Sequence, residues 1–197
     1  MFIAAAFVAS TSITSCNQET EVPEDDTPAN VLCDGKGSTS FFPLAMGNVW
    51  VYSGTATTTK TVAEVATVDG EQQYTIEVQG LNDWEEVYTV GSNGDVYFQS
   101  GGTFGQDTNY LHVPASPTLN QEWLYTISFD GHITRRITST TAEVTTSYCT
   151  YQNCIEIESY DGTGDYLYAH YYKVGVGHVL TDNTIFTDSK LRSITLN

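Results

Sequence analysis

The sequence predicts an all-β protein built of antiparallel meanders, which can close as a curved sheet, a sandwich or an open barrel. Three observations predict it. The 197 residues include 29 Thr against 10 Leu, together with 13 Tyr, and β-branched and aromatic residues prefer a pleated surface to a helix. Short alternating runs separated by Gly, Asp and Asn turn signals fill the chain from Asn48 onward. No run of about ten residues or more has the period of an amphipathic helix. With 40% hydrophobic and 12% aromatic residues, the chain has enough apolar side chain for a core, and its length suits one ordinary domain or two small ones.

The first element is an address. Residues 1–15 form an uncharged apolar stretch, shorter than the roughly 20 apolar residues that span a bilayer and of the length of a signal-peptide core. Ile13-Thr14-Ser15-Cys16 resembles the lipobox of bacterial lipoproteins. That resemblance implies cleavage before Cys16, a diacylglyceryl thioether on its sulfur and acylation, such as palmitoylation, of its new amino group. A thiolate is the nucleophile this needs, and small neighbours admit the peptidase. The sequence departs from the pattern in having no Lys or Arg before the apolar run. The alternative is a frayed apolar terminus with an incidental Cys.

The second element, 16–40, reads as an acidic flexible tether. Asn17 to Asn30 hold five acids (Glu19, Glu21, Glu24, Asp25, Asp26), two prolines and no base, which cannot bury enough apolar area to order itself. An acidic stretch behind a lipidated Cys resembles the export signal of surface lipoproteins in Bacteroidetes-type bacteria. It implies an outer-membrane, lipid-anchored protein at the cell surface, with the periplasmic face as the alternative. The whole chain carries a net charge of −17, with 24 acids and 7 bases. Nucleic acid is thereby excluded as a partner, because phosphate binding needs a basic patch. Attraction to anionic lipid is disfavoured for the same reason, and the anchor is the expected link to a membrane.

The third element, 41–197, is the β domain. Tyr74, Ile76 and Val78 alternate with Thr75, Glu77 and Gln79, and Asp69-Gly70 before them suits a tight hairpin. Val96 and Phe98 follow Ser92-Asn93-Gly94, while Trp123, Tyr125 and Ile127 precede Asp130-Gly131. Ile155 and Ile157 alternate with Glu156 and Glu158, and Asp161 to Asp165 turn the chain into the run Tyr166 to Tyr172. Roughly eleven or twelve strands result.

The domain reads as two similar halves, 41–100 and 117–180, divided by the Gly-, Asn- and Pro-rich stretch 100–120. Pro43 to Tyr52 is echoed by Pro117 to Tyr125, and Tyr88-Thr89-Val90-Gly91 by Tyr172-Lys173-Val174-Gly175. A repeat of this length would be one meander per half. The alternative is chance, since any two meanders can share Trp-x-Tyr and Val-Gly.

Of the cysteines other than Cys16, Cys149 and Cys154 enclose four residues, a spacing that a short hairpin connection brings within disulfide reach. An exported protein permits the bridge; the alternative is two unpaired thiols. Cys33 is then free, or pairs with one of the two. The four His residues show no metal-ligand spacing, and no metal or cofactor is expected.

Phe42-Pro43-Leu44-Ala45-Met46-Gly47-Asn48-Val49-Trp50-Val51-Tyr52 and Tyr172 to Val179 resemble a group of uncharacterised bacterial lipoproteins. Their domains open with Phe-Pro-Leu-x-x-Gly-x-x-Trp-x-Tyr and close with Gly-Val-Gly-x-Val. The resemblance implies an exported antiparallel β domain and no activity. Trp50 and Tyr52 share a strand face as core anchors, and His178, in the variable place, is expected to be exposed.

No Gly-x-Ser-x-Gly, metalloprotease helix or phosphate loop is present. Glu156 and Glu158 lie about 7 Å apart on one strand face, which admits a glycoside hydrolase, yet alternation with Ile155 and Ile157 is what a solvent-facing strand side looks like. Asp161 and Asp165 lack the further oxygens of a calcium loop. The expected role is therefore non-enzymatic: binding a glycan or peptide through aromatic rings, with Trp84, Tyr148, Tyr151, Tyr166 and Tyr168 as candidate ligand contacts, although most rings of such a chain are core or cross-strand pairs; an exposed row of three or more would favour binding. The alternative is a structural or assembly subunit of a cell-surface complex, whose edge strands join a partner's sheet.

Overall fold

A computed structural model describes residues 33–35, 37–101, 109–127, 131–184 and 188–197. The signal segment, Cys16 and the tether before Cys33 lie outside them.

The described chain is all-β, as its composition requires. Its strands are β1 (Val49–Ser53), β2 (Thr58–Val68), β3 (Glu71–Gln79), β4 (Trp84–Val90), β5 (Val96–Gly101) and β6 (Tyr110–Val113). They continue as β7 (Glu122–Ile127), β8 (Gly131–Thr145), β9 (Thr150–Tyr160), β10 (Tyr166–Lys173), β11 (Gly177–Asn183) and β12 (Ser189–Thr195). All pair antiparallel in one 12-stranded sheet, ordered β6-β5-β4-β3-β2-β1-β12-β11-β10-β9-β8-β7. The sheet curls into a nearly closed barrel, and bulges in most strand pairs supply the curvature.

Each half of the chain contributes six successive strands. Trp50 stands in the first and Trp123 in the seventh, while Tyr88 and Tyr172 lie near the ends of the fourth and tenth.

The ladder stops between β6 and β7, and side chains close the seam. Trp123 donates its indole N–H to the Leu111 carbonyl at 2.7 Å. Arg135, one strand further on, donates to the His112 carbonyl at 2.9 Å. Tyr110 and Tyr125 stack across the seam with centroids 4.1 Å apart.

One end of the barrel is corked by the segment before β1. Phe42, 4% exposed, stacks on Trp50 and meets Tyr88 and Tyr172 edge-on; burying such a ring contributes about 2 kcal/mol. The Gly175 N–H donates to Ser40 O at 2.9 Å, and Trp50 donates to Val176 O at 2.7 Å. Gly177 has φ +100° and a Cβ there would lie 3.1 Å from the Trp50 indole nitrogen, so this close approach requires glycine.

The expected pairing of Cys149 with Cys154 is corrected. Cys33 bonds Cys149, and Cys154 is a buried free thiol. The cause is that β9 begins at Thr150, so the intervening residues run as strand rather than as a hairpin connection. Five residues of strand span roughly 16 Å. Cys33 instead reaches Cys149 because its N–H donates to Thr150 O at 3.0 Å. Cys33 and Ser40, at the end of the stretch expected as tether, are thus each tied to the barrel.

A polar cavity inside the barrel

Alternation along the strands sends one set of side chains into the barrel, and several are not apolar. On β4, Glu86 shares the inward parity of Trp84 and Tyr88; on β2, Lys60 shares that of Val62. Lys60 Nζ lies 2.7 Å from Glu86 Oε2, across the intervening strand β3. Glu86 also accepts from the Trp84 indole at 3.2 Å and from the Tyr88 hydroxyl at 2.9 Å. Burial alone would raise the Glu86 pKa; the Lys60 charge and these donors outweigh it and hold the carboxyl below its usual range. With its oxygens taken up, Glu86 is an anchored anion rather than a free acid or base.

Around this pair lies a cavity of about 370 Å³, floored by Phe42 and walled by side chains of β1, β2, β4, β5, β6, β10, β11 and β12. Trp84, Phe98 and Tyr110 supply rings; Thr58, Thr181 and Ser189 supply hydroxyls. His112, His170 and His178 complete the wall. The Tyr172 hydroxyl lies 3.0 Å from His112 Nε2 and 3.4 Å from His170 Nδ1, and His178 Nε2 lies 2.9 Å from Thr181 Oγ1. Burial comes first in pushing all three histidines down, with Arg135 next for His112 and Lys60 next for His178; His178 falls to about 3 and the others well below the ordinary value. They are neutral in the fold. Among the described residues no three His, Cys, Asp or Glu are grouped to hold a metal ion.

The candidate rings do not form an exposed row. Trp84 lines the cavity, and Tyr168 points inward with its hydroxyl 3.2 Å from that of Tyr125. Tyr151 is 1% exposed, and Tyr148 packs on the same core by the β8–β9 turn. Tyr166 sits on the outer face against Tyr160, because a bulge between Tyr166 and Tyr168 flips the alternation. His178 is also corrected: a register shift opposite Tyr171 and Tyr172 turns it inward beside fully buried Val179.

Glu156 and Glu158 lie on the outer face, where Tyr171 and Tyr160 donate to them. Asp161 accepts the N–H groups of Thr163 and Asp165, closing the β9–β10 turn.

Sequence reasoning missed Lys60, Glu86, His112, His170 and Arg135. The signal was parity. In Ile133-Thr134-Arg135-Arg136-Ile137, Arg135 alternates with the two isoleucines and is 2% exposed, while Arg136 pairs outside with Glu122.

Two solved structures share this fold. One is a candidate lipoprotein of Parabacteroides distasonis ATCC 8503, 16% identical, with TM-score 0.52, covering 81% of this chain and 100% of its own. The other is a candidate exported protein with a YmcC-like fold from Bacteroides fragilis NCTC 9343, 14% identical, with TM-score 0.50, covering 80% of this chain and 99% of its own. At these identities the likeness is one of fold. No protein-family model and no curated protein matches the sequence.

Proposed function

We propose that this chain is an exported, lipid-anchored envelope protein that binds a small glycan or peptide ligand inside its barrel. The observation that carries the binding role is the cavity of about 370 Å³, where rings, hydroxyls and one ion pair converge. Its volume lies in the range of roughly 300 to 1,000 Å³ that ligand pockets occupy. Flat faces of Trp84 and Phe98 suit a sugar ring or an apolar side chain, and the hydroxyls suit its polar edge.

The anchor rests on Cys16 in its lipobox-like context, the export route on the acidic run behind it. Both structural neighbours carry descriptions of the same kind, lipoprotein and exported protein. The anchor would place the domain on the outer membrane at the cell surface. The outer strand faces agree with an aqueous setting: Glu77 and Glu85 stand opposite each other there, both exposed. Strand addition by a partner is disfavoured, because the two free edges, β6 and β7, face each other and are bridged by Trp123, Arg135 and the Tyr110–Tyr125 stack.

Ligand-observed NMR of the full chain against neutral sugars, acidic sugars and short peptides tests the binding role. Thr181→Trp fills the cavity and is expected to abolish any binding seen. Undiminished binding in that variant would overturn the interior site.

A further inference from the structure

Among the described residues, the barrel interior holds more positive than negative charge. Among the described residues, Glu86 is the buried carboxylate, and it is engaged by Lys60. Arg135, 2% exposed, enters no salt bridge among those residues. One η nitrogen donates to His112 O, the guanidinium also hydrogen-bonds the Tyr172 hydroxyl, and its carbon stands 5.6 Å from the centroid of Trp123. Its Nε has no partner. A guanidinium does not shed its charge in a protein.

A second orphan stands beside it. Ser159 is the direct cross-strand partner of Arg135, is 0% exposed, and has an unpartnered hydroxyl. His112 Nδ1, also buried, is a third. An unmet buried polar group is costly, and an uncompensated buried charge more so. This buried cation lies inside a chain of net charge −17, so basic composition does not explain it.

We propose that the ligand carries an anionic group, a carboxylate, sulfate or phosphate, taken up by Arg135 and Ser159 on the side of the cavity that His112 and Tyr172 line. The inference rests on the interior binding reading and names the charge of what binds. A guanidinium fork matches an oxyanion in geometry and charge, and the Ser159 hydroxyl donates a further hydrogen bond. The anion would supply the counter-charge that no described side chain supplies, leaving the rest of the ligand against the aromatic wall. Lys60 adds a second cation to the same interior. An acidic sugar and a free oxyanion share this chemistry.

Calorimetric titration of the full chain at constant ionic strength separates them, with sodium glucuronate, glucose and sodium sulfate as probes. Glucuronate is expected to bind at least about tenfold tighter than glucose, with sulfate competing. Sulfate binding without glucuronate binding keeps the anion site and assigns it to a free oxyanion. Ser159→Ala, which removes one unpartnered hydroxyl, is expected to keep the fold and weaken glucuronate severalfold; Arg135→Gln is expected to abolish binding. Should Arg135→Gln fail to fold, Ser159→Ala decides. Equal affinity for glucose and glucuronate would overturn the charge and leave the interior site standing. Binding of no probe, or glucuronate binding unchanged in Ser159→Ala, would overturn the anion site.

Discussion

Lys60 and Glu86 form an ion pair inside the barrel, 2.7 Å apart, from strands that are not neighbours. The pair ties β2 to β4 over the inner face of β3. Removing one partner leaves the other charge enclosed, which is the costly case. Lys60→Met is expected to destabilise the fold by about 3 kcal/mol, the low end for buried pairs, since the lysine side chain keeps 22% exposure. Urea denaturation measures it. Because the folded Glu86 pKa is depressed, the pair's contribution is present above the ordinary carboxylate pKa and is lost as pH falls through the folded value.

The three cavity histidines give a second, higher acid transition. Their folded pKa values lie below the ordinary value, so the unfolded chain takes up protons that the fold refuses. Stability is therefore full above about pH 6.5 and declines as pH drops toward the His178 value of about 3. Each histidine contributes a slope of up to about 1.4 kcal/mol per pH unit in this window. Denaturation midpoints between neutral and mildly acidic pH should fall before any carboxylate titrates; a flat profile above pH 5 would contradict the neutral cluster.

The Cys33–Cys149 bridge closes a loop with a sequence separation of 116. Restricting the unfolded chain to that extent is worth about 4 to 5 kcal/mol in the chain-entropy view. Cys33→Ser should lower the melting temperature markedly, and Cys154→Ser only slightly. Peptide mapping without reduction should recover Cys33 linked to Cys149, with Cys154 alkylated only after unfolding.

Anchoring is tested by Cys16→Ala, which removes the acylated thiol. A single chain holds a membrane only marginally and further acylation makes the hold stable. The variant is expected to move from the membrane fraction to the soluble fraction; retention in the membrane would overturn the anchor.

The fold was legible because its signals are local. Asp69 and Gly70 both adopt positive φ, 52° and 87°, as a two-residue hairpin turn demands. Tyr74, Ile76 and Val78 are buried as their alternation requires. Closure of the sheet was less legible, since it depends on bulges and on side chains across the β6–β7 seam. The cavity was hidden for a different reason. Expecting polar residues to face water assigns Glu86, Arg135 and His178 to the outside, whereas strand parity and one bulge place them inside. The disulfide partner was likewise set by a backbone bond between Cys33 and Thr150, far apart in sequence.

The interior site is tested most directly by locating the ligand among the three tryptophans. Trp50 lies fully buried at the corked end, Trp84 lines the cavity, and Trp123 stands beside Arg135. In protein labelled with 5-fluorotryptophan, titration with any binder from the sugar and peptide set should shift the fluorine resonance of Trp84 while that of Trp50 stays in place. A binder that leaves the Trp84 line unmoved would contradict binding inside the barrel.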